Sequence, residues 1–264
     1  MLDEIRAAFR TENFYQASCS LQARAVLDEI IQHPAFPGAT DPSVLTLLGT
    51  FLQIIHPKRV LQLGTFVGFS AILIADILAN STRSGHLVTV EPDPVAHDMA
   101  RNWVRKAGLH DAVTFLDGYS TAPEIQKALQ ANGPYQLIYL DSSHAYQATL
   151  DELDFIFETG KLLAPGGLLL LHDVGELATQ WDATGAGGVR RAVAEWMATR
   201  RDRYQDFIFE PPFWPNVCGL GLITERASVA QRDGGSNHPT SANQANRSAK
   251  TFLSRVISYV RDID

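Results

Sequence analysis

Two aspartates and two histidines stand where short apolar runs end: Asp141, followed by Ser142, Ser143 and His144, and His172 beside Asp173. A carboxylate pair of this kind suits a hard divalent cation whose remaining positions go to substrate oxygens and water. The same carboxylates equally serve to cap helices or to orient polar groups. His144 lies three residues beyond Asp141, where an imidazole suits a general base or a further ligand. A second group is Gly64-Thr65-Phe66-Val67-Gly68-Phe69-Ser70. Its glycines let backbone pass close to a ligand, with a helix start presenting free N–H groups to negative charge, or else they simply make a tight strand–helix turn. Phe66 occupies the second glycine position of the nicotinamide fingerprint, and no Gly-Lys-Ser/Thr follows to make a P-loop. Glu91, with Pro92 and Asp93 after it, offers a carboxylate to two ribose hydroxyls, or else sits as an acid near a helix start. Glycine turn and acid together point to a nucleoside-containing cofactor.

These residues need a scaffold that brings separate chain segments to one edge. The runs Arg59 to Leu63, His86 to Glu91, Ala112 to Leu116, Tyr135 to Asp141 and Gly167 to Asp173 read as strands. They alternate with helical stretches at Gly68 to Leu78, Pro94 to Ala107, Thr121 to Ala131, Ala145 to Glu158 and Gly188 to Thr199. Such alternation predicts an α/β fold with a mainly parallel sheet covered on both faces. Ligands then bind beyond the carboxyl ends of the strands, where every residue named above falls. Asp206 to Phe209 and Gly219 to Thr224 have no helix between them and predict an antiparallel pair at the sheet edge. Ahead of the sheet, helices are expected from Phe14 to Gln32 and from Asp41, an N-cap followed by Pro42, to Ile55.

The expected organisation is an N-terminal helical segment over 1–56, serving as a cap or dimer contact, and an α/β domain over 57–225. A polar linker over 226–249 and an amphipathic helix over 250–264 complete it. The chain has 264 residues, 45% of them hydrophobic and 19% charged, a composition that supports a sizeable core and argues against disorder. A net charge of −7 disfavours non-specific attraction to nucleic acid or anionic membranes. No apolar run reaches membrane-spanning length, and the first ten residues lack the apolar stretch of a signal peptide, so a soluble cytoplasmic protein is expected. Cys19 and Cys218 show no metal-ligand spacing and cannot form a disulfide framework.

With these motifs in this order, the chain resembles the class I S-adenosylmethionine-dependent O-methyltransferases over about residues 42 to 225. Gly64 to Ser70 resembles the glycine turn of the catechol and caffeoyl-CoA enzymes, with Gln62 in place of the usual acid. Asp141-Ser142-Ser143-His144 and His172-Asp173 look closer to the cephalosporin and macrolide-sugar branch, as does Gly187-Gly188-Val189-Arg190-Arg191. The resemblance implies a Rossmann-like, seven-stranded sheet with its last strand antiparallel. It implies S-adenosylmethionine held by Gly64, Thr65, Phe66, Gly68, Ser70, Glu91, Pro92, Gly118, Tyr119, Ser120 and Asp141. Magnesium or another divalent cation would rest on Asp141, His172 and Asp173, beside catalytic His144 and Asp141. The partner implied is a small molecule bearing a hydroxyl group, phenolic, sugar or another secondary metabolite. Val174 stands where the catechol branch has a metal-binding Asn. A catalytically inactive cofactor-binding protein is the alternative. A homo-oligomer, most simply a dimer, is expected.

Trp181, with Asp182 beside it, and Phe213-Trp214-Pro215 offer aromatic surface to a flat acceptor, or else pack as ordinary loop residues.

Overall fold

The computed structural model describes residues 2–11, 13–33, 36, 39–81, 85–210 and 218–226. Seven strands form one sheet: β1 (Arg59–Leu63), β2 (His86–Glu91), β3 (Val113–Asp117), β4 (Tyr135–Leu140), β5 (Leu163–His172), β6 (Tyr204–Phe209) and β7 (Leu220–Glu225). Their order is β3-β2-β1-β4-β5-β7-β6. The ladders from β3 to β5 are parallel, and β7 runs antiparallel to both β5 and β6. This is the expected topology, with the last strand antiparallel beside the edge.

The central strands are apolar on both faces because helices cover both. Period-two alternation splits them into two cores. Val60, Leu87, Leu137, Tyr139 and Leu170 pack on one side with helices α2 (Leu21–Gln32), α3 (Pro42–Ile55) and α4 (Phe69–Ala79). Leu61, Leu63, Val90, Ile138, Leu140 and Leu171 pack on the other with α6 (Pro123–Asn132), α7 (Tyr146–Asp154) and α8 (Gly188–Ala198). Helix α5 (Pro94–Lys106) crosses from β2 to β3. Helix α4 is buried along nearly its whole length, between the sheet and the N-terminal helices. Phe69 at its start meets the rings of Phe9, Tyr15 and Phe36.

The N-terminal helices pack on the sheet within one compact unit, Met1–Glu225. Helix α1 (Leu2–Thr11) opens this layer and was not anticipated. The continuous helix expected over Phe14 to Gln32 is split into a 3-10 turn, Asn13–Ser18, and α2. Ser20 causes the break: its Oγ accepts from Ala23 N as an N-cap. Its own N–H and hydroxyl donate to Asp76 of α4, each over 2.7 Å. Those two bonds satisfy a buried carboxylate and pin the start of α2 to α4. The expected linker and terminal helix lie, apart from residue 226, outside the described residues, as do Phe213, Trp214 and Pro215.

Candidate active site

Strand order reverses between β1 and β4, so a crevice opens beyond their carboxyl ends. Gly64 closes β1 with φ +92, and a Cβ there would lie 1.9 Å from the Asp141 carbonyl oxygen. Only glycine lets the two strand ends approach this closely. Gly68 (φ +91) sits against Ala100 of α5 and caps α4 without a side-chain hydrogen bond. The first-turn N–H groups of α4 are thus left to another acceptor. Gln62 of β1 donates to Ser70 Oγ and to the Gly64 carbonyl, both at 2.8 Å. Its Oε1 is buried and has no hydrogen-bond partner among the described residues.

Glu91, at the end of β2, accepts from the Phe66 amide at 2.6 Å and the Asp93 amide at 3.1 Å. This bond holds Phe66 at φ +48, unusual for a bulky residue, with its ring 47% exposed. The buried Thr65 hydroxyl pairs with that of Thr89. Pro92 is exposed beside Glu91, and Tyr119 stands exposed after β3. Gly118 N–H donates to the Glu91 carbonyl at 3.0 Å, bringing the ends of β2 and β3 together. Ser120 donates to Glu152 of α7 at 2.5 Å, and Ser142 donates to the same carboxylate at 2.8 Å. Burial raises the Glu152 pKa to about 7 against the lowering effect of these two hydroxyls.

The acid–base group lies beyond β4 and β5. His144 Nδ1 is 2.7 Å from Asp173 Oδ2, with the imidazole 42% exposed and the carboxylate almost fully buried. The hydrogen bond to Asp173 raises the His144 pKa in spite of desolvation. Trp181 sets its ring edge 5.7 Å from the His144 ring. Asp182 fastens that loop by accepting from the Gly188 and Thr184 amides. Behind this pair, His172 Nδ1 lies 3.1 Å from both Asp141 Oδ1 and Asp173 Oδ1. Burial alone would lower the His172 pKa, but the two carboxylates outweigh it and hold the imidazole charged. Burial likewise pushes Asp173 up, and His172 and His144 together bring it well below the usual carboxylate range.

Three contributors were missed in the sequence. Thr40 donates to Asp141 Oδ2 at 2.6 Å, and Tyr139 donates to the same oxygen at 3.0 Å. Tyr139 was findable, since it is two residues before Asp141 and shares its strand face. Thr40 was not, since nothing local ties it to β4. Cys218, just ahead of β7, joins His172 and Asp173 in a cluster whose ligand atoms all lie within 4.8 Å of one another.

The expected cation set of Asp141, His172 and Asp173 therefore converges as a hydrogen-bonded group. Asp141 receives three donors, and Val174 is packed fully into the apolar core. Asp141 and Asp173 offer the two carboxylates that a hard cation takes alongside water and substrate oxygens, but the Oδ1 atom of each is spent on His172, so the set as arranged holds an imidazole in place of a cation.

Residues 61–174 match the family described as a methyltransferase domain. A relative from Mycobacterium avium (strain 104), provisionally named an O-methyltransferase, is 28% identical over 135 residues, 51% of this chain and 56% of its own length. A catechol O-methyltransferase from Niastella koreensis is 32% identical over 98 residues, 36% of this chain and 43% of its own. The chain thus spans a little over half of the first of these relatives and less of the second. Among solved structures, the O-methyltransferase from Bacillus cereus in complex with SAH superimposes with a TM-score of 0.65 at 19% identity, over 84% of this chain and all of the other. The O-methyltransferase TomG from Streptomyces achromogenes, in complex with SAM, gives 0.60 at 22%, over 79% and 91%. At these identities the likeness carries the fold.

Proposed function

We propose that this chain, whose residues 61–174 match the methyltransferase-domain family, is an S-adenosylmethionine-dependent O-methyltransferase acting on a small hydroxyl-bearing acceptor, phenolic, sugar or another secondary metabolite. One observation carries the reading: a glycine turn with a ribose-type acid and an oriented imidazole converge at a single sheet edge. The uncapped start of α4 and Ser70 take the methionine carboxylate. The unsatisfied Gln62 Oε1 suits its ammonium. Glu91 takes the ribose hydroxyls through the lone pairs its two amide partners leave, with Pro92 beside it. Phe66 and Tyr119, both exposed, flank the adenosine, and Gly64, Thr65, Gly68 and Gly118 shape the cradle. Ser120 acts there through Glu152, to which it donates.

In the proposed step Asp173 holds a proton on His144 Nδ1, leaving Nε2 to accept the acceptor's hydroxyl proton. The acceptor oxygen forms its bond to the methyl carbon as the sulfur–methyl bond breaks. The electron pair stays on sulfur, giving S-adenosylhomocysteine, and the proton stays on His144. Asp141 positions His172, which keeps Asp173 charged. Trp181 gives a flat acceptor an aromatic wall next to the base. No divalent cation enters this step, given the donor set above. We further propose that the protein works in the cytoplasm as a homodimer. Among the described residues no helix is long and apolar enough to cross a membrane. Exposed Phe14 and Leu21 on the N-terminal layer support a subunit contact, which sedimentation equilibrium tests.

The deciding experiment is S-adenosylhomocysteine release across a panel of phenols, sugars and alcohols. Acceptor-dependent release that falls about 10²–10⁴-fold in His144→Ala, with cofactor affinity kept, is the expected result. Tight cofactor binding with no transfer to any acceptor would instead establish the inactive binding protein.

A further inference from the structure

We infer that Glu152 is a positioning residue that selects a 6-amino purine: it takes the hydroxyl hydrogens of Ser120 and Ser142 and leaves both oxygens able only to accept. The inference rests on the S-adenosylmethionine reading and names the group that reads the base. Ser120 lies in the turn after β3, and Ser142 follows Asp141 beyond the end of β4. In the sheet those strands are separated by β2 and β1, three spacings or about 14 Å. Yet both hydroxyls donate to one carboxylate on α7, Ser120 to Oε1 at 2.5 Å and Ser142 to Oε1 and Oε2 at 2.8 Å each. The two turns therefore lean together beyond β2 and β1, whose ends carry Glu91 and Gly64.

A serine hydroxyl has one hydrogen and two lone pairs, and an ionised carboxylate only accepts. With Glu152 ionised, both hydrogens point at the carboxylate and neither is left for a ligand. Glu152 is 2% exposed while both serines are only half-buried, so it is the serines that meet the crevice. Gly118, two residues before Ser120, donates to the Glu91 carbonyl, which sets the ribose acid and this turn side by side. Tyr119 stands exposed between them and offers its ring to the base. A base edge that meets two acceptors must donate. The 6-amino group of adenine does so, whereas the 6-oxo group of hypoxanthine sets lone pairs against lone pairs. A mere brace between the turns has no need of the charge. Burial, with Asp151 adding to it, raises the Glu152 carboxyl to about 7, a cost that a neutral amide of the same shape avoids. An amide, however, donates from one end and turns one serine hydrogen back towards the crevice.

The test is calorimetric titration of the full chain at about pH 8.5, where Glu152 is ionised, with S-adenosylhomocysteine and with S-inosylhomocysteine. The second ligand carries a 6-oxo group and an N1 hydrogen where the first has a 6-amino group and a bare N1. In the wild type the inosyl ligand should bind about 10–100-fold more weakly, because the serine oxygens are left unpaired. Glu152→Gln should cut that ratio at least about threefold, losing affinity for the adenosyl ligand and keeping it for the inosyl one. A brace with no part in reading the base would weaken both ligands equally and leave the ratio unchanged. A wild-type ratio below about tenfold, or a smaller cut than this in Glu152→Gln, overturns the inference. Should that variant not fold by circular dichroism, Ser120→Ala decides, since it deletes one acceptor and should cut the ratio in the same way. Failure of the wild type to bind S-adenosylhomocysteine at all would overturn the cofactor reading and this inference with it. Binding without selection between the two bases overturns this inference alone.

Discussion

Glu91→Ala isolates the contact on which the cofactor assignment most depends. The carboxylate is buried at the end of β2, and each oxygen already accepts one backbone N–H, from Phe66 at 2.6 Å and Asp93 at 3.1 Å. Each oxygen keeps one lone pair for a ribose hydroxyl. A hydrogen bond to a charged group contributes about 1.5–3 kcal/mol, so losing two costs about 3 kcal/mol at the lower bound. That corresponds to a roughly 150-fold rise in the dissociation constant of S-adenosylhomocysteine. A second, smaller effect comes from the protein itself. Phe66 at φ +48 loses its acceptor, which loosens the turn and adds about 1 kcal/mol. The two parts separate in a calorimetric cycle using the ligand and its analogue lacking both ribose hydroxyls. The analogue should feel only the turn effect, about a fivefold penalty from the mutation. Circular dichroism confirms that the variant is folded. A change below threefold with the full ligand would refute the ribose contact. An equal penalty for ligand and analogue would assign Glu91 to holding Phe66 alone.

Thr40→Val removes one donor from Asp141 and should lower turnover about tenfold while leaving cofactor affinity within twofold; equal turnover would detach the N-terminal layer from the site. Glu152 has a folded pKa of about 7 against an ordinary 4.5, so the folded state binds a proton that the unfolded chain releases. Stability must then fall as pH rises from 4.5 to 7 and level off above it. Glu152→Gln removes that slope, gaining about 3 kcal/mol relative to the parent between pH 4 and pH 8 in urea unfolding; parallel curves would refute the account. Gly64→Ala forces a Cβ to within 1.9 Å of the Asp141 carbonyl at a φ of +92, so loss of several kcal/mol of stability and of cofactor binding is expected. Ser20→Ala deletes a cap and a bond to buried Asp76 and should cost about 2 kcal/mol by thermal unfolding; a cost under 0.5 kcal/mol would mean that water replaces both.

The strands of the sheet were legible because their signal is local. Arg59–Leu63 and His86–Glu91 read with the bounds the structure shows, since buried parallel strands are continuous apolar runs ended by Gly64 and Pro92. Helix α3 was equally plain from Asp41 and Pro42, whose capping chemistry is written in adjacent residues. Gly64, Glu91, Asp141, His144 and Asp173 were placed at one edge by strand order alone, because a parallel sheet sends every strand end to the same side. Tertiary structure decided the rest. Ser20 breaks a periodic helix because Asp76, 56 residues away, takes its N–H and hydroxyl. Thr40 reaches Asp141 across 101 residues, and no periodicity encodes such a bond. Cys218 meets His172 and Asp173 through the antiparallel register of β5 and β7, which sets His172 opposite Leu220. The residue types carried the chemistry. Which of their atoms are spent on one another, and which are left for a ligand, depends on contacts between distant segments that only the folded chain makes.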